Sequence, residues 1–155
     1  MAGPLKSGRA KTRSSIASKR FALVVADWNE EITNALYEGA VATLLEHGVP
    51  RKNIIRKNVP GSFELSLGGL LMARKRDIHA VICLGCVIQG ETPHFDYICQ
   101  AVAYGITQAN LITGKPVIFG VLTTHNIQQA EDRAGGKHGN KGEEAALSAI
   151  QMLNF

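Results

Sequence analysis

Residues able to do chemistry gather in four short stretches of this 155-residue chain. In "GCVIQGETPHFDY" (Gly85 to Tyr97) an apolar run breaks at Gly90. Thr92 and Pro93 then read as the cap and first position of a helix, which puts His94 in its first turn. Free backbone N–H groups and the positive end of the helix dipole make such a turn an anion site, and an imidazole beside it is suited to moving protons. "RAGGKHGNKG" (Arg133 to Gly142) carries two cations for a phosphate, Arg133 as a forked pair of donors and Lys141 as a point charge. "PGSFE" sets Glu64 near another helix start, where a carboxylate either favours the dipole or accepts hydrogen bonds from a polyol. Trp28, the only tryptophan, is either rim packing or a flat platform for a planar ligand. Each residue also has a bland reading, as a solvated first-turn histidine or as helix-terminal charge, and pattern alone leaves both open.

Other chemistries fit poorly. A metal at His94 would want a second ligand where Tyr97 and Ile98 stand, and Asp96 is the only nearby oxygen donor. Cys83 and Cys86 form a CxxC inside "HAVICLGCVI", but an odd spacing on a strand sends the two thiols to opposite faces. "RAGGKHGNKG" lacks the register of a phosphate loop, and "DWNEEI" lacks the glycines of a dinucleotide fingerprint. His47, His79, His125 and His138 read as surface or loop residues without a function. No metal site is expected.

The formal charge of +4 hints at a polyanion partner until the charges are placed along the chain. Residues 1–20 hold six of the 17 basic residues and no acid, leaving 11 basic against 13 acidic beyond them. Residues 1–19 therefore read as a basic, flexible tail, and residues 20–155 as one slightly acidic domain with nothing to draw nucleic acid. The Arg- and Ser-rich, acid-free opening also matches transit peptides, so organelle targeting stays open beside a cytoplasmic location. No apolar run approaches the ~20 residues that cross a bilayer, so no membrane partner is expected. Three cysteines, an odd number, suit a reducing compartment.

The elements that position these residues follow from periodicity. "RFALVVADW" is a continuous apolar run, as a strand buried on both faces should be, and Ile32, Leu36, Ala40, Val41, Leu44 and Leu45 then recur at helical spacing after the cap candidate Asn29. The alternation repeats through "NIIRKNV" and "FELSLGGLLMARK", "HAVICLGCVI" and Pro93 to about Thr113, and "KPVIFGVLTT" and two helices near Asn126–Arg133 and Asn140–Met152. Right-handed crossovers then give a three-layer α/β/α sandwich around a four-stranded parallel sheet. Ligands bind such sheets beyond the carboxyl ends of the strands, where every distinctive cluster falls.

Trp28-Asn29, "PGSFE", "GCVIQGETPHFDY", "PVIFGVLTT" and "RAGGKHGNKG", in this order over Arg20 to Met152, resemble the lumazine synthase family. The resemblance implies a flavodoxin-like fold and a cofactor-free step of riboflavin biosynthesis. In it 5-amino-6-(D-ribitylamino)uracil condenses with 3,4-dihydroxy-2-butanone 4-phosphate, giving 6,7-dimethyl-8-ribityllumazine, phosphate and water. His94 matches the proton-transfer histidine, and Arg133 the phosphate-binding arginine, with Glu91 and Thr92 completing the anion site. Trp28 matches the stacking platform, Ser62, Phe63 and Glu64 surround the ribityl chain, and the backbone of Cys86, Val87 and Ile88 meets the pyrimidine. Phe119 matches a residue given by a neighbouring subunit, and Lys141 is a further substrate contact. Most members have phenylalanine where this chain has Trp28, a larger face that bears on pocket size and flavin discrimination.

The resemblance also implies a homo-oligomer. Members form pentamers, some packing twelve of them into a sixty-subunit icosahedral capsid, and riboflavin synthase is an associated partner. The segment before the first strand, here Ser15 to Arg20, would pair with a neighbouring subunit's sheet, and the short "GGKHGNKG" turn favours the shell. Two readings from other classes stand beside this one. A non-catalytic flavin- or lumazine-binding protein could use the same scaffold. A response-regulator receiver would need more acids than Asp27 at the end of the first strand.

Overall fold

The computed structural model describes residues 16–155. Four strands, β1 (Phe21–Ala26), β2 (Ile54–Val59), β3 (Ala80–Ile88) and β4 (Val117–Thr124), form an all-parallel sheet in the order β2-β1-β3-β4. Helices α1 (Glu30–Glu46), α2 (Leu65–Ala73), α3 (His94–Thr113), α4 (Ile127–Asp132) and α5 (Lys141–Leu153) complete a three-layer sandwich. The glycine-rich turn is a small hairpin of β5 (Ala134–Gly136) and β6 (Gly139–Asn140). Among the described residues no helix is long and apolar enough to cross a membrane.

Strand alternation divides the core in two. Phe21, Leu23, Val25, Ile82, Leu84 and Cys86 face α1 and α5, while Ala22, Val24, Val81, Cys83 and Val117 face α2 and α3. The two CxxC thiols do point to opposite faces. Burial pushes Cys83 up to about 12 and Cys86 to about 11, so both are inert thiols. The order reverses between β1 and β3, where this class of sheet opens a crevice at its carboxyl edge.

Ser15, and with it any pairing by residues 1–15, lies outside the described residues. Ile16 to Lys19 are folded back as a turn closed by Lys19 N–H to Ile16 O (3.0 Å), not extended as a strand. Ile16 is fully buried in the α1/α5-side core, and Ala17 O accepts from Asn53 Nδ2 at 3.2 Å. Burying one isoleucine is worth about 1.5–3 kcal/mol, enough to hold a turn that reads as tail from its polar neighbours. His79 has a structural role as well. Its Nδ1 accepts from Arg20 N–H (3.0 Å), and its backbone N–H donates to Arg20 O (2.9 Å).

Helix starts differ in detail from the sequence reading. Pro93, not Thr92, precedes the first residue of α3, and no side chain caps it. The second helix opens as a 3-10 turn, Ser62–Glu64, before α2. Asn29 stands before α1 without capping it, because its amide is used elsewhere.

Candidate functional site

A cleft of about 500 Å³ opens at the carboxyl ends of β1, β2 and β3. Backbone bonds carry the strand ladder past its end, from Asp27 N–H to Val59 O (2.8 Å) and from Trp28 N–H to Pro60 O (3.1 Å). They fix Trp28 at the rim, where the residue is 70% exposed. Gly61 lies beneath it. A Cβ there would come within 3.3 Å of both the indole and the Glu64 carboxylate, so the missing side chain lets the ring approach the turn closely.

Glu64 closes that turn. Its Oε2 accepts from Gly61 N–H at 3.0 Å, and its own N–H donates to Gly61 O at 3.2 Å. Glu64 is exposed and lines the cleft, and its other oxygen has no partner among the described residues. Ser62 Oγ is buried and has no hydrogen-bond partner among the described residues. It packs over Gly85 of β3, where a Cβ would sit 2.5 Å from Ser62 Oγ and 2.8 Å from Leu65 Cδ1.

Cys86, Val87 and Ile88 form the cleft's β3 wall, and His94, exposed at the first position of α3, stands at its edge with Ile98 one turn on. Thus Trp28, Ser62, Phe63, Glu64, Cys86, Val87, Ile88 and His94 line one cleft. Sequence reasoning missed Asn29 as a member. Asn29 is the only described non-glycine residue with positive φ (60°), and it donates from Nδ2 to Cys86 O at 2.9 Å, tying the ends of β1 and β3 together. Its place after Trp28 was a usable signal, since asparagine tolerates the left-handed region. His125 also has a partner here, its Nδ1 meeting Gln89 Oε1 just past the β3 wall.

Five expected residues do not line this cleft. Glu91 and Thr92 are exposed in the bend before α3. Phe119 sits on β4 opposite Cys83, half-buried against the α2/α3-side core. Arg133 and Lys141 flank the β5–β6 hairpin, which packs on α1. There Arg133 NH1 bonds Glu144 Oε1 (2.9 Å) and His138 O (2.6 Å), while Lys141 Nζ reaches Glu144 Oε2 (3.4 Å). Asn140 pins this corner: its Oδ1 accepts from Gly142 N–H (2.8 Å), and its Nδ2 reaches Ala35 O of α1 (3.0 Å).

A family model described as 6,7-dimethyl-8-ribityllumazine synthase matches residues 18–155. Proteins named 6,7-dimethyl-8-ribityllumazine synthase are similar along most of the chain. That of Cytophaga hutchinsonii is 67% identical over 139 residues, covering 90% of this chain and 87% of its own. That of Parabacteroides distasonis is 57% identical over 133 residues, covering 86% and 83%. That of Bacteroides fragilis is 54% identical over 136 residues, covering 88% and 95%.

Proposed function

Since this chain belongs to the 6,7-dimethyl-8-ribityllumazine synthase family, we propose that the cleft beneath Trp28 is where its substrates are joined and that His94 moves the protons. The protein is a transferase of riboflavin biosynthesis. It condenses 5-amino-6-(D-ribitylamino)uracil with 3,4-dihydroxy-2-butanone 4-phosphate to give 6,7-dimethyl-8-ribityllumazine, phosphate and water. The amine and ketone form an imine with loss of one water, phosphate leaves, and ring closure expels a second water. These steps need placement and proton transfer more than a strong electrophile.

One observation carries the assignment: an imidazole, an indole and a carboxylate with one oxygen unpartnered among the described residues line the same cleft. Trp28 stacks the pyrimidine, Ser62, Phe63 and Glu64 take the ribityl chain, and the backbone of Cys86, Val87 and Ile88 reads the ring edge. Glu91 and Thr92, ahead of α3, receive the phosphate with Arg133 and Lys141. Mixing both substrates with the protein and following lumazine fluorescence tests this; binding without turnover would overturn it in favour of a carrier.

The site is shared between chains. Phe119, Arg133 and Lys141 do not line their own cleft, which supports their acting on a neighbour's. The outer surface supports association as well. Tyr97, Tyr104 and Leu111, seven residues apart on α3, are about 70% exposed, with Leu67 and Leu71 of α2 also exposed. The edge strand β2 has no partner on its outer side among the described residues. We therefore include in the proposal a cytoplasmic pentamer, its assembly into a sixty-subunit shell, and riboflavin synthase as an associated partner. Light scattering separates pentamer from shell, and an active monomer would overturn both. Co-elution tests the riboflavin synthase contact.

A further inference from the structure

The corner at the start of α5 holds two cations on one acid. Glu144 bonds Arg133 through Oε1 at 2.9 Å and Lys141 through Oε2 at 3.4 Å, and all three side chains are about one-third exposed or less. Both bonds to Arg133, from Glu144 and from the His138 carbonyl, fall on the same guanidinium nitrogen, NH1. NH2 and Nε keep no partner among the described residues, and they form the edge that can grip an anion with two parallel donors.

Resting on the assignment of Arg133 to phosphate, we infer that Glu144 is a positioning residue that clamps NH1 so that the NH2–Nε edge faces the incoming phosphate, and holds Lys141 beside it. An acid this close also repels a phosphate. That repulsion is weakened by solvent at a one-third-exposed site, whereas a forked hydrogen-bond pair is lost once the guanidinium swings. Orientation is therefore the larger effect. The carboxyl is ionised when it does this: burial alone would raise it, but the Arg133 bond and the charges of Arg133 and Lys141 outweigh burial and hold it below the usual carboxylate range. Exposed carboxylates in the first turn of a helix often serve only the dipole, as the neighbouring Glu143 can.

The test is steady-state kinetics of the assembled enzyme with both substrates varied, and with inorganic phosphate as competing anion. Arg133→Ala should raise the KM for butanone phosphate by roughly tenfold or more, the scale of a charge-assisted hydrogen bond. Glu144→Gln, which keeps the shape and loses the charge, should raise the same KM and the inhibition constant of inorganic phosphate by about fivefold. Its kcat and the KM for ribitylaminouracil should stay within about twofold, and Glu144→Gln should add nothing to Arg133→Ala. Glu144→Asp, the substitute if the Gln variant does not assemble, should show a smaller rise in the same constant. An unchanged or lowered phosphate KM in Glu144→Gln, or full additivity with Arg133→Ala, overturns the clamp while leaving Arg133 in place. An unchanged KM in Arg133→Ala removes the phosphate assignment and the clamp with it.

Discussion

The cleft under Trp28 and the ion cluster on Glu144 are built from different elements of one fold, and they are satisfied to opposite degrees. In the cleft, among the described residues, Ser62 Oγ and one Glu64 oxygen have no partner, and Trp28 is largely exposed. In the cluster, Arg133, Lys141, Glu144 and the His138 carbonyl bond one another before any ligand arrives. Exposure and charge explain the contrast. A neutral hydroxyl buried without a partner costs about 1–3 kcal/mol and the exposed Glu64 carboxylate is solvated, whereas charges at a partly buried corner need counter-charges to stay there. A surface for a neutral, hydroxyl-rich, planar ligand can be left open; a surface for a phosphate must be organised beforehand.

The largest expected effect tests the cleft alone. His94→Ala should lower kcat by about a hundredfold, the low end for a positioned proton-transfer group, because water or phosphate can take over some of the proton movement. Pyrimidine binding, followed by fluorescence titration, should change little; an unaltered kcat would remove His94 from the chemistry. Next comes a change aimed at the cluster. At Gly142 a Cβ would lie 1.9 Å from Leu36 O, so Gly142→Ala forces α5 away from α1, costing about 1–3 kcal/mol. Thermal melts should record that loss, with the phosphate KM rising more than the pyrimidine KM. Equal changes in both constants would mean that the two regions are not separable.

Trp28→Ala reverses the pattern. Loss of the ring face should raise the pyrimidine KM by about tenfold, Trp28→Phe should stay within about threefold, and the phosphate KM should hold in both. The smallest effect lies at the far end of the strands, a control for both regions. His79 is held below its usual value by burial and by the charges of Lys19 and Lys115, and its Nδ1 accepts a hydrogen bond only when deprotonated. Its contribution to stability is therefore present above the unfolded value near 6.5 and falls away as pH drops through the lower folded value. Melting temperature should fall slightly between about pH 7 and about pH 5, and less in His79→Gln. Turnover measured well below the melting range should not separate the two proteins.

Local pattern is enough for the sheet and its helices. Continuous apolar runs such as "RFALVVADW" announce strands buried on both faces, and the odd spacing of Cys83 and Cys86 puts them on opposite faces without any coordinates. The cleft residues are legible because each stands within a few positions of a strand's carboxyl end, where fold class alone gathers them. Asn29 is half legible: its position stands out, but a cap is the natural reading, and its bond to Cys86 O spans 57 positions. Ile16 reads as tail because one isoleucine among serine and lysine has no period; only the core that receives it shows that it is buried.

Sequence by itself determined the fold class, the order of the elements and the strand ends at which the cleft opens, because hydrophobic period, turn chemistry and strand polarity act over short spans of chain. Tertiary structure decided what each polar atom is committed to. The pairing of Arg133 NH1 with Glu144, the reach of Asn140 to α1 across 105 positions, the Gly61 turn under Trp28 and the unpartnered Ser62 hydroxyl depend on where separate elements bring their atoms within about 3 Å. Hydrogen-bond geometry at that scale is set by the packing of helices on the sheet, which no local spacing encodes.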